Sequence, residues 1–112
     1  MQLTLAGRIV PKARPRVARG HAYLPANYRK WKDAAIASLR QQLPSQWCPR
    51  CGVAITIAIG GKQRGDADNI AGAVLDALVQ AGVLEDDRLA CVPQLLIRHL
   101  PALANGAVIT VA

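Results

Sequence analysis

The sequence predicts one α/β (α+β) domain, a single mixed β-sheet with two main helices in the order β-α-β-α-β-β. Three observations carry this. The chain has 112 residues, 52% of them hydrophobic, enough for one buried core over residues 1–112 but not for two. Two segments, around Tyr28–Leu39 and Ile70–Leu78, repeat apolar side chains at helical spacing. Four others alternate apolar and polar residues or carry β-branched runs, as strands with a buried face do.

The first of these strands is QLTLAGRIV at residues 2–10. PKARPRVARGHAYLP follows at 11–25. Its three prolines deny it a helix, so an extended loop holding Arg14, Arg16 and Arg19 outward is expected. From about Pro25 to Gln42, Tyr28, Trp31, Ala35 and Leu39 share one helical face. Ile36 lies beside them, Pro25 suits the first turn, and Pro44 marks the stop. PSQWCPRCG is a loop, VAITIAIGG at 53–61 a strand, and KQRGDAD the turn after it. The second helix is expected from about Asp68 to Gln80, with Asp68 as N-cap and Gly82 at its end. After VLEDDR come two strands, LACVPQLLIRHL and GAVITVA. Pro93 places the first of them at a sheet edge or a bulge.

Composition removes several function classes. No apolar run approaches the roughly 20 residues that a membrane span requires. The start, MQLTLAGRIVPKAR, has its charge after its apolar stretch, the wrong order for a secretory signal. Three cysteines make an odd count, which argues against a disulfide framework and for a reducing, cytoplasmic setting. Only four aromatic residues are present, too few for a single-strand binder built on stacking platforms. The net charge is +7, and nine of the fourteen Lys and Arg fall in the first forty residues. Such a segment suits a phosphate backbone, with strongly salt-dependent binding. A merely solvated basic surface is the competing reading.

Six of the seven acidic residues lie between Asp66 and Asp87, a stretch with no lysine or arginine. Clustered carboxylates repel one another, and oxygen ligation of a hard divalent cation relieves that repulsion. In GDADN, residues 65–69, Asp66 and Asp68 are one residue apart, so on extended backbone both point to the same side. The helix start there favours anionic groups or a bound phosphate, and Asn69 adds an amide. Glu85, Asp86 and Asp87 come only after the helix. A helix of roughly 13 residues spans about 20 Å, which sets Asp87 at the far end. A second subunit, a shorter helix or a loop that folds back would bring it to the pair. Taken singly, Asp68 could be only a cap, and Asp86–Asp87 only an exposed turn. Asp76 reads as a structural residue facing a basic neighbour.

Read jointly, GDADNIAGAVLDAL and the following DD, residues 65–87, resemble the RusA family of Holliday junction resolvases. The family pattern is D-x-DN-x-x-K-x-x-x-DAL followed by a paired aspartate. PKARPR at 11–16, GHAY at 20–23 and the helix from Tyr28 support it in the same order and at the same spacing. The resemblance implies a RusA-like fold and a homodimeric endodeoxyribonuclease. That enzyme would use Mg²⁺ or Mn²⁺ to resolve four-way DNA junctions by paired symmetric phosphodiester hydrolysis. It also implies that Asp66, Asp68 and Asp87 are the catalytic, metal-binding carboxylates of one active site. Arg14 and Arg16 become the first choices for phosphate contacts, with Lys12, Arg19, Lys62 and Arg64 completing the candidate DNA-binding set. One departure stands out: four residues after Asp68, where the family has a catalytic lysine, this chain has Gly72. Either Lys12, Arg14, Lys62 or Arg64 stands in, or the protein binds junctions and cuts weakly or not at all.

WCPRCG at 47–52 contains a CxxC that could be half of a zinc site or a dithiol. Only Cys91, His21 and His99 remain as further ligands, none in a second paired motif. Two ordinary loop cysteines is therefore the simplest reading, with a zinc-stabilised nucleic-acid binder as an alternative. Cys91 fits a small core residue, His21 a phosphate contact from the basic loop, and His99 an exposed strand end.

Overall fold

The computed structural model describes residues 1–13 and 16–112, and of Arg16 and Ala18 the backbone alone. The elements are β1 (Gln2–Ala6), β2 (Arg16–Ala18), β3 (His21–Tyr23), α1 (Ala26–Gln42), β4 (Ala54–Gly60), α2 (Ala67–Gln80), β5 (Gln94–Leu100) and β6 (Gly106–Val111). The main sheet has the order β1-β6-β4-β5. β6 is antiparallel to both β1 and β4, whereas β4 and β5 are parallel. Alternation puts Leu3 and Leu5, Ile55, Ile57 and Ile59, and Ile109 and Val111 on one buried face. Tyr28, Ala35, Ile36 and Leu39 of α1 and Ile70, Ala73, Val74, Ala77 and Leu78 of α2 complete that core. The result is the expected mixed α/β domain, with both helices on one side of one sheet.

Two parallel neighbours need a crossover connection, and α2 supplies it. It leaves the carboxyl ends of β4 and β5 and runs back to their amino ends. Everything that follows about the acids depends on this path.

Several expectations shift. β1 ends at Ala6, where Gly7 turns the chain at φ +78°. The segment expected to be an extended loop folds in part into a hairpin, β2 antiparallel to β3. Its two-residue turn is Arg19–Gly20, with φ 52° and 79°. Positive φ at both turn residues matches the twist of the flanking strands. The prolines excluded a helix, but not strands of three residues between them. The N-cap of α2 is Asp66, with Asp68 in the first turn. Pro93 precedes β5 instead of interrupting it, and β5 is a sheet edge, as Pro93 suggested. Cys51 is disulfide-bonded to Cys91, against the expectation from the odd cysteine count. The backbone explains the meeting, because Gly52 N and Val53 N both donate to Cys91 O, at 2.9 and 3.0 Å. Cys48 stays free and exposed. Among the described residues no helix is long and apolar enough to cross a membrane.

Candidate nuclease site

The site starts where β4 ends. Between Gly60 and α2 the chain passes Lys62 and Arg64, both exposed, and enters the helix through Asp66. Gln63 fixes this loop. Its Oε1 accepts Ile9 N at 2.9 Å, and its Nε2 donates to Ile9 O at 2.6 Å and to Arg64 O at 2.8 Å. Three residues on, Lys12 N donates to Asn69 O at 2.8 Å. Gly65, at φ +115°, lies where any Cβ would collide with Pro11. Residues 9–12 are thus laced along the start of α2, which brings the basic segment to the carboxylates. His99 on β5 closes the same end, its Nε2 2.8 Å from Gly61 O.

Asp66 has extended backbone, φ −78° and ψ 148°, and its side chain makes no cap hydrogen bond. Asp68 Oδ1 accepts only the next amide, Asn69 N, at 2.9 Å. Both carboxylates are exposed at a helix N-terminus, where the peptide dipoles favour negative charge. They also stand outside the carboxyl ends of parallel strands, where open α/β sheets place their ligands.

The six clustered acids fall into two groups. Asp76 pairs with Lys12 at 3.2 Å, Glu85 with Arg88 at 3.6 Å, and Asp86 with Arg88 at 3.0 Å. Asp87 N also donates to Asp86 Oδ1 at 2.8 Å. That amide, and then Arg88, holds the Asp86 carboxyl below its usual range. Among the described residues Asp66, Asp68 and Asp87 have no ion pair.

Asp66 and Asp68 lie two residues apart at the start of α2, whose 14 residues span about 21 Å, whereas Asp87 follows its far end. Its loop is anchored there: Arg50 N donates to Val83 O at 3.1 Å, Glu85 N to Arg50 O at 2.9 Å, and Cys91 O takes two bonds from the β4 entrance. Neither a shorter helix nor a loop folding back is therefore available. The two exposed carboxylates and the Asn69 amide are hard oxygen donors, which fit a divalent cation such as Mg²⁺ or Mn²⁺.

Gly72 is explained by Lys12. The Lys12 stem crosses the helix at that point, so a Cβ on residue 72 would stand 3.1 Å from Lys12 Cδ and 3.7 Å from its Cβ. Lys12 Nζ reaches Asp76, the basic neighbour expected for that acid. Asp76 Oδ2 also accepts Tyr28 Oη at 3.3 Å. Burial, and then the Asp76 charge, push the Tyr28 hydroxyl up to about 12. Of the other candidate cations, Arg19 stands exposed at the hairpin tip. Arg14 and the Arg16 side chain lie outside the described residues.

A family model described as endodeoxyribonuclease RusA matches residues 6–112. The chain belongs to the RusA family. Membership supports, in general, a junction-resolving endodeoxyribonuclease, in a family that is divalent-metal-dependent. No curated protein matches the chain. Within the RusA frame, sequence reasoning proposed the acids as candidates but missed Gln63, which ties residues 9–12 to the loop before α2. It had no signal to find it, because a glutamine in a turn looks like any solvated residue.

Proposed function

We propose that this RusA protein nicks four-way DNA junctions in symmetric pairs, as a homodimer, using Mg²⁺ with Mn²⁺ as a substitute. In each site Asp66 and Asp68 of one subunit work with the partner subunit's Asp87. One observation carries the reading. Of the six clustered acids, Asp66, Asp68 and Asp87 have no ion pair among the described residues, yet α2 holds the third about a helix length from the other two.

Asp66 and Asp68 would hold the ion, which when bound activates a water, polarises the phosphoryl group and stabilises the leaving 3′ oxygen. The chain's own groups do the rest. The first amides of α2 face the phosphate. Lys62 and Arg64 flank it from the preceding loop, and Arg19 projects from the β2–β3 arm toward the neighbouring backbone. Lys12 leaves Asp76 for the phosphate and supplies the positive charge that a lysine at position 72 would have given. Dimerisation has surface available: Leu96 and Val108 are exposed on the sheet face opposite the helices, flanking Thr56 and Ala58 of β4. Two sites related by a two-fold axis match the symmetry of a four-way junction.

The direct test is Asp68→Asn on a labelled junction with Mg²⁺. Nicking should be abolished, while junction binding is kept or strengthened because negative charge near phosphate is removed. Normal nicking by Asp68→Asn would remove the metal assignment. Gly72 motivates a second reading, a RusA fold that binds junctions without cutting. Binding with no nicks by the unaltered protein, even at high concentration, would favour it.

A further inference from the structure

At the other end of α2 a different set of ligating groups converges. Cys51 Sγ, Cys91 Sγ and a Glu85 carboxylate oxygen lie within 4.8 Å of one another. They come from three segments that the backbone holds together without help from sulfur. Arg50 bridges to Leu84, Glu85 N donates to Arg50 O, and Gly52 N and Val53 N donate to Cys91 O. Three residues before Cys51, in the same loop, stands the free, exposed thiol of Cys48. Gly52 follows at φ +74°, a conformation other residues rarely adopt. The segment Cys48-Pro49-Arg50-Cys51-Gly52 is therefore a C-x₂-C loop whose second cysteine meets a third cysteine and a carboxylate.

We infer that this cluster is a structural zinc site, with Cys48, Cys51, Cys91 and Glu85 as its four ligands. Tetrahedral zinc, with bonds of about 2.3 Å to sulfur and 2.0–2.2 Å to oxygen, sets its ligand atoms about 3.3–3.8 Å apart. Cys51, Cys91 and Glu85 bring three such donor groups within 4.8 Å of one another, and Cys48 supplies the fourth from the same loop. A Cys51–Cys91 disulfide leaves Cys48 as a neighbouring nucleophile, the arrangement that promotes thiol–disulfide exchange. With all three cysteines reduced, the same geometry offers three sulfurs to one ion. A dithiol takes the Cys51–Cys91 bond to two thiols and is itself oxidised to a disulfide. Zn²⁺ then displaces the three thiol protons. Glu85 gives up its exposed pairing with Arg88, which is worth little in solvent. The ion braces the chain at 85 and 91, on either side of Asp87. The site itself does not depend on the nuclease reading.

The test is zinc content by inductively coupled plasma mass spectrometry on the full chain, purified in dithiol without chelator. Close to one zinc per chain is expected. Cys48→Ser, an exposed change that leaves the core intact, should lose most of it under competition with a chelator, and Glu85→Gln should lose part. Asp66→Asn should keep it all, which separates this site from the carboxylates at the other end of α2. Zinc-free protein would overturn the assignment, as would zinc held equally well by Cys48→Ser.

Discussion

At the scale of single residues, Lys12 and Gly72 form one device. A glycine inside a helix costs about 1 kcal/mol relative to alanine, and here it leaves a groove that the Lys12 stem fills. Lys12→Ala should lower the nicking rate by about 10²-fold or more, the usual effect of removing one transition-state charge partner. It should lower stability by no more than about 1 kcal/mol, because its pairing with Asp76 is half exposed. Gly72→Lys in the Lys12→Ala background should restore much of the rate. Wild-type nicking by Lys12→Ala would show that another cation does this work. Tyr28 gives a second test, through pH. Its hydroxyl is raised to about 12 from an ordinary 10, so the fold prefers the neutral form. That contribution is complete below about pH 10, where the unfolded chain is also neutral. It is lost as pH rises from about 10 through 12, because the unfolded tyrosine ionises first. Denaturant melts of wild type and Tyr28→Phe across that window should show the extra alkaline loss only in wild type.

At the scale of elements, what the sequence made legible was what faces the core. β4 and α2 could be read because burial stamps a period of two on AITIAIG and of 3.6 on Ile70, Val74 and Leu78. The β2–β3 hairpin could not. Its strands have three residues each, and β3 is exposed throughout, so no alternation between core and solvent was available to read. The start of α2 was ambiguous for another reason, since Asp66 and Asp68 are equally good caps. Packing of Gly65 against Pro11, a contact more than fifty residues apart in sequence, goes with the start at Asp66. The Cys51–Cys91 meeting was hidden in the same way, as a long-range product of backbone bonds. The hairpin's role can be measured. Arg19→Ala should weaken junction binding about equally for all sequences and reduce the salt slope by about 1. An unchanged slope in salt titrations would mean that the arm stands clear of DNA.

At the scale of the whole molecule, a chain of net charge +7 gathers its carboxylates along one helix and then separates them by that helix's length. The acid cluster was legible as a candidate site from spacing and from the RusA resemblance, but its geometry was not. Only the crossover path, β4 to α2 to β5, shows that one subunit holds the pair and the third acid at opposite ends. A dimer that joins the two ends makes each site depend on both chains, and dimerisation then becomes a condition of cutting. Asp68→Asn and Asp87→Asn should each be inactive alone. A mixed dimer of the two should contain one ruined site and one intact site, the latter built from the Asp87→Asn subunit's Asp66 and Asp68 and the other subunit's Asp87. Nicking of a labelled four-way junction with Mg²⁺ by the mixed dimer, isolated through two different tags, decides the matter. Recovery of single nicks without paired resolution is expected. A tagged mixed dimer as inactive as either parent would contradict the shared site.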